Sequence, residues 1–220
     1  MPALPSYDAI SSLLERAPIV PLVGDDDPDR ATATARALGE GGLGTVEVVM
    51  RSPGALASMK AILAGTEGLL VGAGTVLTLE QAREVVEAGA QFVVSPGLVE
   101  DIVRYCQDEG VVCLPGTMTA GEVQRAHAMG LRAVKFFPAS LAGGVPMLKA
   151  FGAVFSGMRF MPTGGIDAGN LHEYLALPHV LACGGSWLTP KDAVAQGDYA
   201  ALTKLAREAL SIAKDTREAN

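Results

Sequence analysis

Cysteine is scarce in this sequence, with three residues among 220 and none in a Cys-x-x-Cys pair. An odd number of separated cysteines argues against a disulfide framework and matches no metal site, so we expect a reducing, cytoplasmic location. The N-terminus does not show a basic region followed by an apolar run, and no apolar stretch reaches the about 18 residues of a membrane span. The sequence therefore predicts neither a secretion signal nor a membrane helix.

Basic residues are also few, since 17 Lys and Arg face 24 Asp and Glu, for a formal net charge of −7. No cluster of Lys and Arg interrupts this acidic balance, which argues against nucleic acid or an anionic membrane as a partner. The three histidines form no His-x-x-x-His pair, and the sequence contains no Gly-x-Ser-x-Gly segment. We therefore expect neither a catalytic metal nor a serine nucleophile of that type.

What the sequence does have is a regular alternation of short apolar runs with longer amphipathic ones. The apolar runs predict eight strands: Ile19–Gly24, Thr45–Arg51, Leu69–Val76, Phe92–Pro96, Val111–Gly116, Ala133–Pro138, Arg159–Gly164 and Val180–Ser186. The amphipathic runs predict eight helices: Asp29–Leu38, Gly54–Leu63, Leu79–Ala88, Val99–Glu109, Ala120–Met129, Gly144–Phe155, Asn170–Leu177 and Tyr199–Lys214. Apolar strands that alternate with helices are typical of a parallel sheet covered on both faces.

Eight such units favour a closed (β/α)8 TIM barrel over an open, doubly wound sheet. No Gly-x-Gly-x-x-Gly follows the first strand, where the acidic run Asp25–Asp29 is instead expected to be a solvated loop with helix-capping acids. An extra N-terminal helix, predicted at Tyr7–Arg16, precedes the first strand and is expected to cover the bottom of the barrel. No linker divides the chain, so residues 1–220 are predicted to form a single barrel domain.

Lys135 is the one lysine of six that falls inside a predicted strand. Chemistry in such barrels lies at the C-terminal ends of the strands, so a charged residue there has functional interest. Side chains alternate along a strand, which places Phe137 on the same face as Lys135. Apolar surroundings favour the neutral amine, the form that attacks carbonyl carbon. The competing interpretation is a buried salt bridge that serves only the fold.

Glu47 is the one acid of 24 placed in the middle of a predicted strand. Alternation directs Glu47 and Arg51 to the same face, and strands two and six lie opposite each other in a barrel, so both converge on Lys135. An amine, a proton carrier and a guanidinium that binds carboxylate predict a site for a 2-oxo acid. Thr75 is expected to assist Arg51, and the glycines before it to let backbone approach the ligand. A self-contained pair of Glu47 and Arg51 is the alternative.

Two pairs of glycines end the last two predicted strands, and a serine follows the second pair. Barrels often bind phosphate on backbone N–H groups at the ends of strands seven and eight, although tight turns alone also explain glycine pairs. The predicted phosphate site comprises Gly164, Gly165, Gly184, Gly185 and Ser186. Three further residues are expected to shape the pocket: Pro96, Phe137 and Thr163.

With these residues in place, the sequence resembles the bacterial 2-keto-3-deoxy-6-phosphogluconate (KDPG) aldolases, the class I aldolases of the Entner–Doudoroff pathway. The resemblance rests on Glu-x-x-x-Arg, Gly-Ala-Gly-Thr, Ser-Pro-Gly, Lys-Phe-Phe-Pro-Ala and Thr-Gly-Gly-Ile, in this order over nearly the whole chain. It implies a Schiff base on Lys135 and acid–base catalysis by Glu47 through a bound water. The ligands that it implies for carboxylate and phosphate are Arg51, Thr75, Gly164, Gly165 and Ser186.

The resemblance also implies a homotrimer that cleaves 2-dehydro-3-deoxy-6-phosphogluconate to pyruvate and glyceraldehyde 3-phosphate without a cofactor. Two residues depart from the family pattern, since Val49 stands where threonine is usual and Met50 where leucine is usual. One alternative is an aldolase for unphosphorylated 4-hydroxy-2-oxoglutarate (KHG), or an oxaloacetate decarboxylase that uses the same enamine. The others are a phosphate-binding barrel of another reaction class and a catalytically silent binding barrel.

Overall fold

The computed structural model describes residues 4–219, in which strands alternate with helices along the chain. The strands are β1 (Ile19–Val23), β2 (Thr45–Val49), β3 (Leu70–Gly74), β4 (Phe92–Ser95), β5 (Val112–Thr117), β6 (Ala133–Phe136), β7 (Arg159–Pro162) and β8 (Cys183–Gly185). The helices are α1 (Tyr7–Arg16), α2 (Pro28–Glu40), α3 (Ala55–Gly65), α4 (Leu79–Glu87), α5 (Glu100–Asp108), α6 (Ala120–Ala128), α7 (Gly144–Val154), α8 (Leu171–Leu175), α9 (Lys191–Gln196) and α10 (Tyr199–Glu218).

The strands form one closed ring in chain order. Each strand from β1 to β7 pairs in parallel with the next, and β8 pairs in parallel with β1. The ring closes between β7 and β8 through two parallel bridges, Phe160 to Val180 and Thr163 to Gly184. This confirms the predicted (β/α)8 TIM barrel with an extra helix before the first strand.

Local capping explains where several helices begin. Asp27 precedes α2 and accepts hydrogen bonds from the N–H groups of Asp29 and Arg30, at 3.0 and 3.1 Å, which confirms a capping acid in the acidic loop. At α6, Thr119 and Glu122 form a capping box, in which each side chain accepts a hydrogen bond from the other residue's N–H group. Such caps satisfy N–H groups that the helix itself leaves unpaired.

The apolar core has two layers, one inside the barrel and one between the strands and the outer helices. The inner layer contains, among others, Val20, Leu70, Phe92, Val94, Leu114, Ala133 and Met161. Two residues of α1, Ile10 and Leu14, belong to the same cluster and are almost fully buried. Helix α1 therefore covers the bottom of the barrel, as predicted, and the opposite end carries the loops that follow the strands.

Most predicted bounds agree with the structure within two residues. Helix α10 extends four residues beyond the predicted Lys214, to Glu218, and three other features need an explanation. Strand β2 ends before Arg51, because the Arg51 N–H group donates to the Val49 carbonyl oxygen at 2.9 Å and turns the chain. Strand β8 starts three residues later than predicted, since Val180 forms only an isolated bridge to β7. Helix α9 was not predicted, because none of its residues is buried and it therefore has no apolar periodicity. Within residues 4–219, no helix is long and apolar enough to cross a membrane.

Candidate active site

Lys135 on β6 and Glu47 on β2 meet inside the barrel, although 88 residues separate them in the chain. Lys135 Nζ lies 3.3 Å from Glu47 Oε1, and the two side chains are 5% and 0% exposed. The predicted convergence of these side chains is thus present. The same contact also fits the competing interpretation, in which a buried salt bridge serves only the fold. The groups around the pair have to distinguish between these two interpretations.

The second carboxylate oxygen of Glu47 is the feature that a purely structural ion pair does not explain. Glu47 Oε2 is buried, and no group of residues 4–219 donates a hydrogen bond to it. A buried acceptor without a donor costs about 1–3 kcal/mol, and more when it is charged. This oxygen is therefore placed to bind a proton, a water molecule or a substrate hydroxyl.

Two glycines in β3 provide the space that the side chains of Glu47 and Phe92 occupy. A Cβ atom at Gly74 would overlap the Glu47 carboxylate, and one at Gly72 would overlap the ring of Phe92. Both glycines face the barrel interior because side chains alternate along the strand. Their backbone angles lie outside the left-handed region, so space and not conformation requires glycine here. Packing against protein side chains thus accounts for both glycines, and close approach of their backbone to a ligand stays a prediction.

Arg51 and Thr75 also lie together, as predicted. Arg51 Nε donates a hydrogen bond to Thr75 Oγ1 at 3.2 Å. Thr75 has a φ angle of 59°, a left-handed conformation that is rare for a β-branched residue and typically costs about 1–3 kcal/mol. Arg51 is exposed and forms no ion pair with any acid of residues 4–219. Its guanidinium group is therefore available to bind an external carboxylate.

Two of the predicted pocket-shaping residues lie close to Lys135. The ring centroid of Phe137 is 5.4 Å from Lys135 Nζ. The Pro96 carbonyl oxygen stands over Gly116, where a Cβ atom would overlap it, and Gly116 is the β5 partner of Lys135 in the sheet register. These two residues give the amine an apolar wall on one side and a backbone dipole nearby.

The third pocket-shaping residue, Thr163, packs against the second glycine pair. Its Oγ1 atom occupies the place of a Cβ atom at Gly184, and the Trp187 ring does the same at Gly185. Both glycines are buried, so their lack of a side chain already has a reason in packing. Direct contact of Gly184 and Gly185 with phosphate stays a prediction.

The first glycine pair has a different geometry. Gly164 and Gly165 have φ angles of 101° and 74°, which favour glycine. The N–H groups of Gly165 and Ile166 donate no hydrogen bond to any acceptor of residues 4–219, and the same is true of the N–H group and hydroxyl of Ser186. Free donors from two neighbouring loops therefore lie at the C-terminal ends of β7 and β8, which suits an anion.

A pocket of about 740 Å³ opens at this end of the barrel, and both Arg51 and Ser186 line it. Lys135 and Glu47 are not in its lining, because they lie deeper in the barrel. The pocket wall includes an ion pair of Asp25 and Arg30, with Arg30 Nη2 2.8 Å from Asp25 Oδ1. The hydrogen bond from Arg30 holds the pKa of the Asp25 carboxyl below its usual value, so Asp25 does not compete for protons near neutral pH.

Sequence reasoning did not identify Ser140, which follows β6. Its Oγ atom lies where a Cβ atom at Gly165 would be, so it belongs to the same group of loops as the predicted phosphate ligands. An exposed serine in a turn has no pattern that distinguishes it from other surface serines, so no signal in the sequence would have identified it. Among residues 4–219, no group of three His, Cys, Asp or Glu side chains is placed to hold a metal ion.

Comparison with known proteins identifies close relatives. Residues 10–205 match the family described as "Aldolase: KDPG and KHG aldolase". The 2-dehydro-3-deoxy-phosphogluconate aldolase of Treponema pallidum is 45% identical over 203 residues, which cover 92% of this chain and 97% of that protein.

Two solved structures are also similar. One is the KDPG aldolase of Legionella pneumophila with pyruvate captured as a covalent carbinolamine intermediate; it has 36% identity and a TM-score of 0.86, over 90% of this chain and 96% of that one. The other is the 2-keto-3-deoxy-6-phosphogluconate aldolase of Zymomonas mobilis with 3-phosphoglycerate; it has 39% identity and a TM-score of 0.87, over 94% of this chain and 97% of that one.

The buried pair predicts an unequal response of stability to two substitutions. Lys135→Met should destabilise the fold by about 3–5 kcal/mol, because it leaves the Glu47 carboxylate buried without its partner. Adding Glu47→Gln to Lys135→Met should recover part of that loss, because the uncompensated charge is then gone. Urea unfolding of the wild type, both single variants and the double variant measures the coupling. Additive effects would show that the two side chains do not interact.

Proposed function

We propose that this chain, which belongs to the KDPG and KHG aldolase family, is a Schiff-base aldolase that cleaves 2-dehydro-3-deoxy-6-phosphogluconate to pyruvate and glyceraldehyde 3-phosphate. The observation that carries this proposal is the 3.3 Å contact between Lys135 Nζ and Glu47 Oε1 in a nearly dry barrel interior. A carboxylate at that distance can take the proton of the lysine, which leaves a neutral amine able to attack a carbonyl carbon.

The proposed reaction starts when the Lys135 amine attacks the C2 ketone of the substrate. Glu47 gives the proton that it took from the lysine to the departing hydroxyl and becomes a carboxylate again. Loss of water leaves an iminium ion, which can accept the electron pair of the C3–C4 bond. Glu47, through Oε2 or a water bound to it, removes the proton of the C4 hydroxyl as that bond breaks and the aldehyde leaves. The enamine is then protonated at C3, and hydrolysis releases pyruvate and the free lysine. These steps require no cofactor.

Substrate binding is assigned to two groups of residues at the mouth. Arg51 and Thr75 are proposed to hold the carboxylate next to C2, since Arg51 has no acidic partner in the part of the chain that the structure describes. Free N–H groups of the β7 and β8 loops, together with Ser186, are proposed to hold the phosphate at C6. Gly164, Gly184 and Gly185, the other residues of the predicted phosphate site, are proposed to contribute backbone to the same site.

Turnover of unphosphorylated 4-hydroxy-2-oxoglutarate is the second candidate, because the family description joins both substrates. The chain also has buried Val49 where its resemblance predicts threonine, which removes a hydroxyl close to the carboxylate site. Oxaloacetate decarboxylation would use the same enamine. All three reactions use the Schiff base on Lys135. They differ in the part of the substrate that lies at the C-terminal end of the barrel.

We further propose that the whole chain forms one domain, that it assembles as a homotrimer and that it acts in the cytoplasm. Apolar residues are exposed after three neighbouring strands, β3, β4 and β5, which supports an association surface there: Leu77, Val99 and Met118. The three free, buried cysteines suit a reducing compartment. Light scattering that gives the mass of a single chain at micromolar concentration would contradict the trimer.

Borohydride trapping tests the Schiff base directly. Incubation with pyruvate and borohydride should add one reduced pyruvyl group, and peptide mapping should place it on Lys135. The other five lysines are the internal control, because all five are exposed and none lies inside the barrel. A label on another lysine, or no label, would overturn the proposed mechanism. Loss of labelling in Lys135→Met should accompany loss of turnover.

The role of Glu47 is tested by the exchange of the pyruvate methyl protons with solvent. Glu47→Gln should slow this exchange by about 10²–10⁴-fold, because the general base is lost. Gly74→Ala should slow exchange as well, since the new methyl group displaces the Glu47 carboxylate. Gly72→Ala is the matched control, because its methyl group meets Phe92 instead; it should lower stability and leave exchange closer to wild type. Equal rates of proton exchange in Gly72→Ala and Gly74→Ala would show that the exchange does not depend on the position of the Glu47 carboxylate.

A further inference from the structure

We propose that Ser140 is a further phosphate-binding residue, whose hydroxyl completes a site formed by the β7 and β8 loops. The inference rests on the proposed function, because it adds a ligand to the same phosphate site. It concerns Ser140 in the loop after β6, a residue that neither the motifs nor the resemblance assigned to substrate binding.

The Ser140 side chain stands directly over Gly165. A Cβ atom at Gly165 would overlap both Oγ and Cβ of Ser140, so this serine fills the space that the glycine leaves. Two backbone hydrogen bonds hold the loops in this arrangement, from the Ala139 N–H group to the Thr163 carbonyl oxygen at 2.8 Å and from the Ser140 N–H group to the Gly164 carbonyl oxygen at 3.0 Å. The position of the hydroxyl is therefore fixed relative to the β7 loop.

The Ser140 hydroxyl has no partner of its own in the part of the chain that the structure describes. The side chain is exposed, and Oγ makes no hydrogen bond with any group of residues 4–219. The adjoining β7 loop carries the N–H groups of Gly165 and Ile166, which are equally free. A free hydroxyl and two free N–H groups on adjoining loops offer several donors. Several donors suit the acceptor oxygens of a phosphate better than they suit a neutral ligand hydroxyl, which has one acceptor atom.

The β7 loop also carries an acid, Asp167, whose carboxylate is engaged within its own turn. Asp167 Oδ1 accepts a hydrogen bond from the Gly169 N–H group at 2.8 Å. Asn170, the other polar residue of the turn, donates from Nδ2 to the Gly165 carbonyl oxygen at 2.9 Å. That bond orients the Gly165–Ile166 peptide, whose N–H group is that of Ile166 and is free within residues 4–219.

The test compares kcat/KM for the 6-phosphorylated substrate and for 4-hydroxy-2-oxoglutarate in the wild type and three variants. Ser140→Ala should lower the preference for the phosphorylated substrate about tenfold or more, as expected for the loss of one hydrogen bond to a charged group. Ser140→Thr keeps the hydroxyl and should retain most of the preference. Ser156→Ala is the matched control, since Ser156 is an exposed serine before β7, at the other end of the barrel.

A second measurement does not depend on turnover of the full substrate. Inorganic phosphate should protect the wild type against unfolding or compete with the phosphorylated substrate, and its apparent affinity should fall in Ser140→Ala but not in Ser156→Ala. An unchanged substrate preference together with unchanged phosphate affinity in Ser140→Ala would overturn the role of Ser140 alone. A wild type with no preference for the phosphorylated substrate would overturn the phosphate site itself, and the inference with it.

Discussion

The structure depends on one constraint, which is that a lysine and a glutamate share the interior of an apolar barrel. Neither charge is stable there alone, because desolvation costs several kcal/mol per ion, and a 3.3 Å contact compensates only part of that cost. The barrel makes room for the Glu47 carboxylate at Gly74 of β3, where a Cβ atom would overlap it. The buried pair that costs stability is also the pair to which the proposed reactivity is assigned.

Barrel closure explains why residues far apart in sequence can build such a pair. Period-two alternation sends every second residue of β2 and β6 inward, and closure of the ring between β7 and β8 places these strands opposite each other. The loops that follow the strands then add the groups that are proposed to contact the substrate. Arg51 is an example: a tight turn after Val49 takes it out of the strand and toward the pocket at the mouth.

The sequence predicted the features that follow from periodicity, and these include the eight strands and the inward position of Lys135. It could not predict features that depend on one side chain filling the space beside another. The position of Ser140 over Gly165 and that of Trp187 over Gly185 arise only when the loops are assembled, so a glycine pair was interpreted as a ligand contact where packing also accounts for it. Helix α9 was missed for a related reason, because a helix without buried residues shows no apolar pattern.

The N-terminal helix has a consequence for the order of events in catalysis. Ile10 and Leu14 close the barrel from below, against a layer that includes Phe92 and Met161. In the part of the chain that the structure describes, the interior therefore opens at the end that carries the loops after the strands. Substrate enters through this opening, and so does the water that must later hydrolyse the iminium. An aldehyde product that still occupies the mouth obstructs that water, which makes release of the aldehyde a condition for release of pyruvate. Because both products leave through the same opening, their release is ordered.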